Sequence, residues 1–172
     1  NVYIVINGEP KVSLAMTVTN GTNLDGSRTW SRSVLQHNYD EEGRLHSIGQ
    51  GGIDGGWVVL NGTRVDYRGG ETAVTIGVDI FNNYYVSYIE NQYLNPKDWK
   101  GKSLVDCSNT TTETTSVDGS RGVTYDNRKY GYDRDTTRLV SVENTEVTPG
   151  EITLNGVCLL YTSDAADEED SV

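Results

Sequence analysis

The residues able to do chemistry are few and scattered. His37 and His46 are the only histidines. A zinc site needs three or four His, Cys or acidic ligands at fixed spacing, and no CxxC or HxxxH occurs. Both read as hairpin histidines, and no metal or cofactor is expected. Asp25-Gly26-Ser27 and Asp118-Gly119-Ser120 invite a nucleophile or a calcium loop. A nucleophile needs a base within reach, and there is no G-x-S-x-G elbow. A calcium loop needs alternating oxygen ligands and a closing Glu, which neither segment has. Both read as turns. Asp40, Glu41 and Glu42 could pair as in a glycosidase, but neighbouring carboxylates in a turn diverge into water. The richest set is aromatic: Tyr84, Tyr85, Tyr88, Tyr93, Trp57 and Trp99, with Trp30 beside them. Gathered on one face, they would stack on sugar rings while their polar edges bond hydroxyls. The plainer account is that tyrosines pack across half-exposed strands.

The elements that must carry these residues are strands. From 72 to 80, Val74, Ile76, Val78 and Ile80 alternate with Ala73, Thr75, Gly77 and Asp79, which predicts a half-buried strand. Phe81-Asn82-Asn83 supplies turn chemistry, and 84–93 returns as the second arm of a hairpin. Further strands are predicted over 2–6, 12–19, 29–39, 44–48, 57–60, 63–67, 123–132, 138–142 and 151–157. Turn signals such as Asn7-Gly8, Asp25-Gly26 and Asn61-Gly62 separate them. The segment 95–116 carries the weakest pattern. Asn95-Pro-Lys-Asp-Trp99 suggests one helical turn, and the polar run Asn109 to Ser116 a mobile loop or an edge strand.

Shifted by 93 residues, the chain matches itself. Asp25-Gly26-Ser27-Arg28 falls on Asp118-Gly119-Ser120-Arg121, and Tyr39-Asp40 on Tyr132-Asp133. One residue later, Arg44-Leu45 meets Arg138-Leu139, and Leu60-Asn61-Gly62 meets Leu154-Asn155-Gly156. Two copies, about 22–62 and 115–156, are expected to stack, because one hairpin cannot bury its apolar face alone. In the first copy Asp40 can accept backbone N–H bonds and Gly43 can take φ > 0. Tyr39 and Leu45 then become cross-strand neighbours.

Composition agrees with strands. Of 172 residues, 11 are Tyr and 19 are Gly, with only 3 Pro and 1 Met. No apolar run approaches the ~20 residues of a membrane span, and basic residues are too few for a nucleic-acid stripe. Cys158 to Glu168 reads CLLYTSDAADE, which matches a translated transposase-type sequencing adapter, and in-register barcode codons extend the match to Val172. Residues 158–172 are therefore excluded from fold reasoning. Five acids of that tail contribute to the net charge of −11 and leave −6 without it, so charge implies no special partner. Cys107 becomes the single native thiol, and a Cys107–Cys158 disulfide is not inferred. Beginning at Asn1, the chain is read as a fragment lacking its native N-terminus.

Tyr39-Asp-Glu-Glu-Gly43-Arg44-Leu45 resembles the YD repeat, Tyr-Asp-x-x-Gly-Arg-Leu. It is also similar to hairpin units of secreted and lipid-anchored β proteins of Gram-negative bacteria, in which a strand and Asn-Gly turn follow, as at Leu60-Asn61-Gly62. The second copy, Tyr132-Asp-Arg-Asp-Thr-Thr-Arg138-Leu139, is one residue longer and lacks the Gly. The resemblance implies an exported, non-enzymatic β domain, periplasmic or extracellular, and assigns no catalytic residue. The combined expectation is one all-β domain over 1–157: an antiparallel meander of hairpins from an internal duplication, its twisted sheet curling to a half-barrel or sandwich. Its expected role is a binding module with a polysaccharide or cell-surface partner. The alternatives are a structural repeat segment of a larger adhesin or lipoprotein and, third, a hydrolase.

Overall fold

A computed structural model describes residues 1–146, 150–154 and 157–161. The alternating segments form β1 (Val2–Ile6), β2 (Glu9–Thr22), β3 (Arg28–Tyr39), β4 (Leu45–Gln50), β5 (Gly56–Leu60), β6 (Thr63–Tyr67), β7 (Ala73–Val78) and β8 (Tyr84–Tyr93). A 3-10 turn over Pro96–Trp99 follows, capped by Asn95, whose side chain accepts from the Lys97 N–H. Then come β9 (Val105–Thr115), β10 (Arg121–Tyr132), β11 (Leu139–Glu146), β12 (Gly150–Leu154) and β13 (Val157–Tyr161). Adapter-like residues 158–161 thus lie in β13, and 162–172 fall outside the described residues. No described helix is long and apolar enough to cross a membrane.

All pairings are antiparallel, but the expected meander is not what forms. The main sheet has 11 strands, ordered β1-β2-β3-β7-β8-β9-β10-β12-β13, with β4 on β3 and β11 on β10. One edge of β3 is shared, its first half pairing with β7 and its second with β4. The chain leaves the sheet as the separate hairpin β5–β6 before returning as β7. Nor does the sheet curl into a half-barrel or face a second sheet of equal extent. It ends in two different edge strands, and only the β5–β6 hairpin lies over one face. The reason is the distribution of apolar side chains, which suffices for one local core. Val34, Val74, Ile76, Val78, Val86 and Tyr88 of the sheet meet Ile53, Leu60 and Val65 beneath the hairpin. Elsewhere the sheet presents Thr, Ser, Asn and charged residues, with apolar side chains such as Val5, Val18 and Val140 left exposed among them.

Two glycine contacts shape the hairpin and the sheet beneath it. At the neck of the hairpin, a methyl group on Gly69 would lie 2.6 Å from the Gly55 nitrogen, so the two chains can close only without side chains. In β7 a methyl group on Gly77 would lie 2.2 Å from the Tyr85 ring, which rests on the bare backbone of its cross-strand partner.

The run Asn109 to Ser116, expected as a loop or an edge, is instead an interior strand as far as Thr115. Its β9 pairs along its length with both β8 and β10. β-branched threonines favour the extended backbone, and tyrosine-bearing neighbours shield it. Polarity misleads here because this part of the sheet faces water on both sides.

The two Tyr-Asp corners have matching backbone settings. Tyr39 pairs with Leu45 after a bulge, and Tyr132 with Leu139 after a bulge. Each tyrosine hydroxyl donates to a carbonyl one strand away, Tyr39 to Val12 and Tyr132 to Val105, both at 2.9 Å. The Asp25 and Asp118 carboxylates accept from Ser27 N and Ser120 N, again both at 2.9 Å. Asn7 and Gly8 adopt φ 51° and 81°, and Lys100 and Gly101 adopt 56° and 76°. The Asn7 side chain donates to the Glu41 carbonyl, as the Lys100 side chain does to Asp135. The spacing of 93, or 94 beyond the corner, thus also relates residues before position 22. The fourth sequence landmark keeps its local register, Leu60 pairing with Thr63 and Leu154 with Val157, but not its placement: the β5–β6 hairpin stands apart from the main sheet, whereas β12–β13 extends it. Asn155 and Gly156 themselves lie outside the described residues.

Candidate functional site

The face that carries the core continues past the β5–β6 hairpin. Antiparallel register sets its side chains in rows across the strands. Val78, Tyr84, Thr115 and Arg121 form one row, and Ile76, Val86, Glu113 and Val123 the next. Beside Asp66 of β6 these rows floor an open trench of about 290 Å³, lined by Asp66, Tyr84, Val86, Glu113, Arg121 and Val123. Its charges are arranged by neighbours. Arg68 lies 4.0 Å above the Tyr88 ring and donates to Glu113 at 3.1 Å. Arg64 holds Asp66 at 2.8 Å. Among the described residues, the Arg121 guanidinium and the Tyr84 hydroxyl have no protein partner. The trench therefore offers an aromatic ring, free donors and oriented carboxylates, a combination suited to a hydroxyl-rich ligand.

A second depression, about 450 Å³, lies at the turn end of the same strands and shares Tyr84, Thr114 and Thr115 with the trench. Its acids are already engaged. Asp25 accepts from the Ser27 backbone and hydroxyl. Asp79 accepts from the backbones of Phe81 and Asn83 and from the Asn83 amide. These bonds hold both carboxyls below the ordinary carboxylate range, led by the Ser27 hydroxyl at Asp25 and the Asn83 side chain at Asp79. They fix turns.

The aromatic residues do not share one face. Tyr84 lines the trench, and Tyr88 is buried at its end beneath Arg68. Tyr85 points to the opposite face, over Gly77, and Tyr93 lies past a register shift near the far end of β8. Trp57 sits on the outer side of β5, 56 % exposed, with Arg64 at 4.8 Å from its ring centre. Trp99 packs edge-on to Tyr132 at 6.1 Å, with Arg134 nearby. Trp30 leans on Tyr67 at 5.2 Å against the core. Alternation along β8 separates Tyr84 from Tyr85, and each tryptophan belongs to a different layer or end.

Glu113, Arg121 and Asp66 of the trench, and Arg68 that holds Glu113, are the residues that the sequence pattern did not single out. Glu113 did carry a signal as the single acid inside a threonine run, but its neighbours come from strands far apart in sequence. Asp40, Glu41 and Glu42 do not converge as an acid–base pair. Asp40 binds the Arg44 N–H and guanidinium at 2.8 and 3.0 Å, and Glu42 takes the other arm of Arg44 at 2.9 Å. His37 and His46 lie on β3 and β4. Among the described residues, no group of three or more His, Cys, Asp or Glu could hold a metal, and Cys107 is a half-buried free thiol.

No family model, curated protein or solved structure matches this chain. The likeness to YD repeats accordingly rests on the residues quoted above.

Proposed function

We propose that the chain is a non-enzymatic, extracytoplasmic β-sheet binding module whose trench takes a hydroxyl-rich chain such as a polysaccharide. The observation that carries this reading is the Tyr84–Arg121 row, a ring beside a free guanidinium in an open groove. A sugar ring laid on Tyr84 would direct its hydroxyls to Arg121 and Glu113. Calorimetry of the intact chain against a polysaccharide panel tests it. Binding should fall about tenfold in Arg121→Ala and several-fold in Tyr84→Phe, the loss of one or two hydrogen bonds. Trp57→Ala, on the outer side of the hairpin, should bind as the parent does. A panel without a single binder, or binding indifferent to Arg121, would remove the reading.

A second reading, a structural repeat segment of a larger adhesin or lipoprotein, is favoured by the hydrogen bonds recurring at a spacing of 93–94. It takes the two copies to be products of one duplication, as in the YD-repeat hairpins they resemble.

A further inference from the structure

We propose that the outer edge of β2, residues 15–22, is a docking site for an extended strand patterned like β8. This inference rests on the repeat-segment reading and is independent of glycan binding. It follows from comparing β2 with its counterpart 93 residues on. Residues 15–22 of β2 correspond to residues 108–115 of β9. On one edge each strand carries its hairpin partner, β3 on β2 and β10 on β9. On the other edge β9 is covered throughout by β8, from Tyr84 opposite Thr115 to Tyr93 opposite Val105. The same edge of β2 holds only β1, whose register ends with Val2 opposite Leu14. Residues 15–22 are left with an unpaired row of backbone donors and acceptors.

The neighbourhood shows what belongs there. In the second unit, the turn preceding β8 reaches across, and the Asn83 side chain accepts from the Val117 N–H at 3.0 Å. The corresponding residue in the first unit is Leu24, an apolar side chain wholly exposed at 110 %. Met16 and Val18 are 45 % and 51 % exposed, where the covered strand has Asn109 and Thr111 half-buried. The first unit thus leaves more apolar surface in water than its covered counterpart, where Val117 is still 68 % exposed, and a flanking strand would reduce it.

The occupant is specified by register. Transferred by 93 residues, β8 would run antiparallel to β2 with Tyr84 opposite Thr22, Tyr85 opposite Gly21, Tyr88 opposite Val18 and Asn91 opposite Ala15. Its ring at position 85 would lie beside Gly21, over which the Thr29 hydroxyl of β3 already leans. The surface is therefore a β-augmentation edge, with main-chain bonds giving affinity and alternate side chains giving register.

The test uses the intact chain and a synthetic peptide of the β8 sequence that spans only the open edge, Tyr84–Asn91, free in solution. Saturable binding by fluorescence anisotropy should accompany a tenfold or greater slowing of hydrogen exchange at alternate amides of residues 15–22. Two further peptides carry backbone N-methyl groups, one at positions 85, 87, 89 and 91, the other at 86, 88 and 90. One series should lose binding at least tenfold and the other retain it, since only one edge of the peptide pairs. Absence of binding, protection outside residues 15–22, or equal behaviour of the two methylated peptides would overturn the proposal. None of these results depends on the trench, so glycan binding stands or falls separately.

Discussion

Gly43 and Thr137 occupy the same place in the two corners, at φ 78° and 57°. A side chain in this left-handed region costs about 1–2 kcal/mol. Gly43→Ala is accordingly expected to destabilise the fold by about 1 kcal/mol in urea titration. Thr137 is held in this conformation by its N–H bond to the Asp133 carbonyl and by Lys102, which donates to its hydroxyl. The corner tyrosines each contribute one bond, and Tyr39→Phe or Tyr132→Phe should each cost about 1 kcal/mol. Burial raises the Tyr132 phenol above its ordinary range, so the neutral donor persists through physiological pH. Acid sensitivity is a residue-scale property too. Asp25, Asp79, Asp118 and Asp133 are held low by turn hydrogen bonds from Ser27, Asn83, Ser120 and Thr136 respectively. At Asp40 partial burial pushes upward, but the Arg44 N–H and guanidinium prevail and the carboxyl falls. A folded pKa below the unfolded one means that the stabilisation is complete above the unfolded value, about 3.9. It is lost as pH falls through the folded values. Thermal melts should be flat in this contribution above about pH 5 and decline below about pH 4.

The hairpins divide sharply between those that close the core and those that do not. Ile76 of β7 is fully buried between β3, β8 and the β5–β6 hairpin. Ile76→Ala should cost about 2–5 kcal/mol. Val140 on β11 is 66 % exposed, and Val140→Thr should change stability by less than about 0.5 kcal/mol. Chemical denaturation of the two variants checks this contrast. Most hairpin elements were legible in the sequence because alternation and turn residues act locally: β1, β6 and β8 have the predicted bounds, and the Pro96 turn lies where Asn95 caps it. The interior position of β9 was not legible. Threonine suits an edge as well as a centre, and only the pairing partners decide which it becomes.

For the whole molecule, one core and two dissimilar edges define the architecture. The sheet is stabilised where the β5–β6 hairpin covers it and stays open where β9 and β10 face water. The trench lies at that opening, lined by Asp66 of β6 together with Tyr84 and Glu113. The same economy of apolar residues leaves residues 15–22 of β2 as a strand acceptor. Of the expected aromatic site, Tyr84 lines the trench, and Tyr88 is buried in the core beneath Arg68. Their charged companions arrive from β6, β9 and β10, and Arg68 from the hairpin neck.

The amino-acid order alone determined which segments extend, where they turn and which corners repeat, because these depend on side-chain alternation, positive-φ residues and short-range hydrogen bonds. Tertiary structure alone decided which strands became neighbours, whether the sheet closed and which side chains share a groove. Those outcomes depend on a limited apolar surface being buried once, by segments distant along the chain, which no local pattern encodes.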